Sequence, residues 1–109
     1  MTYNNLIQAL NSTGIPFREG EWVNAAKLKT DYGVYALDSR ADMMSDNRHS
    51  ERFVGGTIDY FAISDSGTVQ AAKIEEALET CGCFWRFESK QYERDTGYTH
   101  HEWVFYVLP

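Results

Sequence analysis

The chain has 109 residues, 43% of them hydrophobic and 15% aromatic, which suits one self-supporting core and excludes a disordered polymer. Ten basic side chains against sixteen acidic ones leave a net charge of −6, the wrong sign for a surface that grips nucleic acid by counterion release. The excess lies in the second half: residues 1–54 carry six basic and seven acidic groups, residues 55–109 four and nine.

In chain order, residues 2–13 open with a helix pattern. Tyr3, Leu6, Ile7 and Leu10 fall on one face, Thr2 can cap the start, and Gly14 with Pro16 stops it. A short extended piece, Ile15 to Glu19, follows; residues 20–31 fit either a short helix or an irregular cover. The alternating, Tyr- and Val-rich 32–39 segment predicts a strand. Residues 38–52 are polar, aperiodic and longer than the usual connection in a compact domain, which marks a functional loop or a hairpin extension. Residues 53–63 predict a long strand with Ile58, Tyr60 and Ala62 on one face and Phe61 and Ile63 on the other. Gly55-Gly56 within it signals a bulge or a close backbone approach.

A second helix is predicted over 67–81. Ala71, Ile74, Leu78 and Cys81 recur at helical spacing, the preceding Ser-Asp-Ser-Gly offers capping oxygens, and Gly82 ends it. Two strands close the chain, Phe84 to Tyr92 and Tyr98 to Leu108, joined by a polar turn ending in Gly97. The last strand is apolar on both faces, so it is either central or covered by a partner. Helix, strands, helix and hairpin in that order give a single α+β domain: a mainly antiparallel sheet of four to five strands with two helices on one face.

No repeat or linker divides the chain, no signal peptide is visible, and no window approaches the roughly 20 apolar residues of a membrane helix. The two cysteines, Cys81 and Cys83, flank one glycine, which suits a reducing compartment rather than a disulfide framework.

The chemistry-bearing residues form no complete set in any one segment. Cys81 and Cys83 have C-x-C rather than zinc-site spacing, and the adjacent His100 and His101 must face opposite sides of a strand, so only one could join a given site. His100 with Glu102 could orient an imidazole, but no nucleophile elbow accompanies it; the simpler reading is an exposed charge pair. Asp38, Asp42 and Asp46 fail the EF-hand spacing, and no dinucleotide fingerprint, P-loop or H-E-x-x-H occurs. No catalytic residue, metal or cofactor is therefore expected. Trp85, Phe87, Trp103 and Phe105 are expected in the core.

The ordered phrases are similar to a known family. An amphipathic helix ending in GIPF is followed by YGVYALDS, a polar stretch with SDN, TIDYFAI, KIEEALETCG and the closing WRFESKQYERDTGYTHHEWVFYVLP. Over residues 3–108 this layout resembles the small tail-terminator or tail-completion (head–tail joining) proteins of long-tailed bacteriophages and prophages. The resemblance implies an α+β subunit of a homo-oligomeric ring, a hexamer, that caps the finished tail tube and faces the head–tail connector protein. It implies a virion component assembled in the host cytoplasm, with no membrane partner and no catalytic residues. An acidic surface suits such a ring, because DNA must slide through it without specific binding.

A closed ring needs two unlike patches on each subunit. The twice-apolar last strand and the 38–52 loop are the expected halves. Within the loop, Asp38, Arg40, Asp42, Met43, Met44, Asp46 and Arg48 combine a charged rim with adaptable thioether anchors, a mixture suited to an interface with a neighbouring subunit or the tail tube protein. Two other classes compete: an acidic inhibitor that binds a host protein or mimics DNA, and a small metal-dependent hydrolase using Cys83, His100 or His101.

Overall fold

A computed structural model describes residues 1–22, 30–38, 53–63 and 67–108. The first helix, α1 (Tyr3–Asn11), starts at Thr2, whose hydroxyl accepts the Asn5 N–H at 3.2 Å while the Asn5 side-chain oxygen accepts the Thr2 N–H at 2.9 Å. This reciprocal pair satisfies two of the donors that a helix start leaves open. Leu6 and Leu10 are fully buried, and Tyr3 and Ile7 pack at their margin, as the spacing predicts.

Among the described residues, five strands form one sheet in the order β1-β2-β3-β5-β4. Three-residue β1 (Phe17–Glu19) runs parallel to β2 (Tyr32–Asp38). The remaining pairings, β2 with β3 (Val54–Ala62), β3 with β5 (Thr99–Val107) and β5 with β4 (Phe84–Tyr92), are antiparallel. The fold is thus α+β. The chain start is stitched to its end: Tyr3 N–H donates to the Leu108 carbonyl and Leu108 N–H to that of Met1, at 3.1 and 3.0 Å.

The predicted alternation in β3 holds. Ile58, Tyr60 and Ala62 face the helices and are 1% exposed or less. Gly55-Gly56 makes no bulge, since the register with β2 and β5 runs unbroken through it. The second option of the sequence reading applies: a side chain at Gly56 would run into the Ala36 carbonyl and the Phe105 ring. The irregularity in the sheet lies elsewhere, between Phe87 and Ser89 of β4.

The second helix, α2 (Thr68–Cys81), buries Ile74 and Leu78 against the sheet, with Ala71 and Cys81 alongside. The N-cap is Gly67, which has no side chain of its own to offer; the expected capping residues Ser64, Asp65 and Ser66 lie outside the described residues. Its end is as predicted, with Gly82 at φ 80° returning its N–H to the carbonyls of Leu78 and Glu79. Two glutamates of this helix reach the sheet: the indole of Trp103 donates to Glu75 at 2.8 Å and that of Trp85 to Glu79 at 2.9 Å.

Both helices supply one layer and the sheet the other. Leu6, Leu10, Ile74 and Leu78 meet Tyr35, Ile58, Tyr60, Trp103, Phe105 and Val107 between them. The twice-apolar last strand is β5, held between β3 and β4, which explains its pattern: Val104 and Tyr106, on the face away from the helices, are buried as well. Phe87 departs from its expected place. It lies on a strand that ends the described sheet and is 47% exposed, with an edge-on contact to Trp103.

Candidate functional site

The face of the sheet away from the helices carries the densest set of polar chemistry. Antiparallel register sets Asp59 of β3 opposite Glu102 of β5, and Phe61 opposite His100. Strand alternation then brings Asp59, His100 and Glu102 together on one face. One oxygen or nitrogen from each lies within 4.8 Å of the other two. His100 Nε2 meets Asp59 Oδ1 at 2.7 Å, and its other ring nitrogen, Nδ1, faces Glu93 Oε2 at 3.4 Å. The imidazole stacks on Phe61, with ring centroids 4.3 Å apart and planes 21° apart.

The aromatic floor continues outward. Tyr32 stacks on Phe61 at 4.7 Å, Tyr98 and Trp22 meet Tyr32 edge-on, and the Arg18 guanidinium covers Trp22 at 4.4 Å. This packing fixes the plane of the imidazole. The hydrogen bond to Asp59 raises the His100 pKa above its ordinary value; partial burial opposes the rise, and the charges of Asp59, Glu93 and Glu102 add to it. Side-chain exposures of 23% for His100 and 19% for Asp59 leave the cluster within reach of solvent.

The sequence reading paired His100 with Glu102 but missed Asp59. The available signal was a carboxylate in the middle of TIDYFAI, out of phase with Ile58 and Tyr60. Only the register of β3 on β5 shows what it faces.

The other candidates separate. His101 points to the helix side, buried to 3% between Trp103 and Tyr60 and unable to join His100. Cys83 also faces the helix side, within the core, where burial and the neighbouring Cys81 thiol push its pKa up to about 12. Both cysteines are free. A site joining Cys83 to His100 would have to span the sheet. Among the described residues, Asp59, His100 and Glu102 make the one group of three such ligands.

Of the residues expected at a subunit interface, Asp38 is exposed at the end of β2, opposite Gly55. Arg40, Asp42, Met43, Met44, Asp46 and Arg48 lie outside the described residues. A second surface stands out instead. The edge strand β4 exposes Phe84, Phe87 and Tyr92 to 51%, 47% and 66%. Phe84, registered with Tyr106, lies on the face away from the helices, and Phe87, registered with Trp103, on the helix side.

No described helix is long and apolar enough to cross a membrane. Comparison with known proteins yields no matching family model, no matching curated protein and no matching solved structure.

Proposed function

We propose that the chain is a structural subunit of a bacteriophage tail, assembling into a ring that caps the completed tail tube and joins it to the head connector. The observation that carries this reading is the edge strand β4, which displays large aromatic side chains on both of its faces. An edge of that kind is a ready template for another chain. The opposite edge is the three-residue, parallel β1, so the two edges differ in length and direction. Contact between unlike patches is heterologous and propagates around a ring. The helix–strand–helix–hairpin order and the acid-rich second half agree with the family resemblance of residues 3–108. The subunit works by binding, and DNA passes through without being held.

The test joins light scattering, negative-stain microscopy and an in-vitro tail-completion assay. Rings of about six 12.5 kDa chains that convert open tail tubes into head-joining tails are expected. A chain that stays monomeric at high concentration and leaves tail tubes uncapped overturns the reading.

A further inference from the structure

We propose that Asp59, His100 and Glu102 form a binding site for a single first-row divalent cation of the zinc class, on the sheet face away from the helices. The ligands come from two hydrogen-bonded strands, β3 and β5, both interior to the sheet, so the backbone holds their spacing. Two carboxylate oxygens and one imidazole nitrogen suit a borderline ion such as Zn²⁺, whereas Ca²⁺ and Mg²⁺ favour all-oxygen sites. With bonds of about 2.1 Å, ligand atoms sit roughly 3.4 Å apart around a tetrahedral ion. The observed separations bracket that value, from 2.7 Å between His100 Nε2 and Asp59 Oδ1 to an upper bound of 4.8 Å across the group.

Three further features favour an ion here. First, Glu93 stands at His100 Nδ1, where a metal-ligating histidine usually finds the partner that fixes its tautomer and leaves Nε2 to the ion. Second, Phe61 holds the ring plane from below. Third, the charges of three carboxylates, Asp59, Glu93 and Glu102, act on one imidazole, a field that favours a cation. Fractional exposures near one fifth give an ion an entry path and let water complete its coordination. The site does not depend on ring formation, and a monomer would bind equally.

The metal-stripped chain should be titrated calorimetrically with ZnCl₂, and in parallel with MgCl₂ and CaCl₂. One Zn²⁺ per chain is expected, with at least 10-fold weaker binding of Mg²⁺ and Ca²⁺. His100→Ala and Asp59→Asn should each weaken Zn²⁺ binding by 10-fold or more, and Glu93→Ala by about 10-fold. The Cys81→Ser/Cys83→Ser double variant should bind as the parent does. In the unmodified chain, a nitrogen-detected imidazole spectrum should show Zn²⁺ shifting Nε2 of His100 and leaving His101 in place, a readout that survives any folding failure of the variants. Absence of Zn²⁺ binding, binding retained in His100→Ala, or binding lost only with the cysteines overturns the proposal.

Discussion

At Gly56 the room for a side chain is already taken. A Cβ there would collide with the Ala36 carbonyl on one side and the Phe105 ring on the other, and neither can retreat without parting β3 from β2 or emptying the core. Gly56→Ala should therefore cost more than about 2 kcal/mol in chemical denaturation, well beyond the propensity change. The two cysteines make a contrasting pair. Cys83 is 8% exposed, and burial pushes its thiol pKa up to about 12, whereas Cys81 is only partly buried. Iodoacetamide at pH 8 should label Cys81 within minutes to hours and leave Cys83 unmodified until the protein is unfolded, as peptide mass mapping would show. Equal labelling of both in the native state would mean that the C-terminal end of α2 opens readily.

At the scale of elements, α2 binds to the sheet through few side chains. Ile74 and Leu78 are its fully buried residues, and Glu75 and Glu79 add hydrogen bonds to two indoles. Leu78→Ala should destabilise the protein by about 2–5 kcal/mol, measured by urea unfolding. A loss below about 0.5 kcal/mol would contradict the observed burial. The edge strand β4 should behave in the opposite way. Phe84 and Tyr92 are exposed, so Phe84→Glu with Tyr92→Glu should move the melting temperature by only a few degrees. The same pair places two like charges where the proposed contact between subunits lies, and light scattering should then report monomers. Rings that survive the double substitution would shift the contact away from β4.

For the molecule as a whole, alkaline pH is the sensitive direction. Tyr60, whose hydroxyl donates to Asp31, has its pKa driven far up by burial and by that carboxylate, and Tyr3 is raised for the same reasons through Glu19. Burial raises Tyr32, Tyr35 and Tyr98 as well, and Cys83 to about 12. The fold favours the neutral form of every one of these groups. Their contribution is complete below the ordinary values, about 8.5 for a thiol and 10 for a phenol, and is lost as pH climbs towards the folded values. The urea midpoint should already decline gently above neutrality, as His100 with its raised pKa loses its proton, and fall most steeply above about pH 10. Tyr60→Phe should lower stability at pH 7, because Asp31 loses a donor, while making the alkaline decline shallower. An unchanged slope in that variant would remove Tyr60 from the account.

Among the described residues, local patterning was enough to place the helices and strands. Thr2 starts α1, which ends at Ser12 shortly before the expected stop at Gly14, Gly82 ends α2, and the alternation of Ile58, Tyr60 and Ala62 phases β3. Each signal is complete within one turn or one strand, so the α+β class and most of the core could be read directly. Two things depend on which strand lies beside which. Phe87 looks like a core residue in its own strand, and its exposure follows from β4 ending the sheet. Asp59 lies 41 residues from His100 along the chain, and no spacing rule links them; the pairing of β3 with β5 brings them to 2.7 Å. Helix faces and strand alternation are set by neighbours a few residues away, so the sequence alone determined them. Sheet order and register are set by burial summed over the whole chain, and for that reason only the tertiary structure decided where the cluster of Asp59, His100 and Glu102 forms.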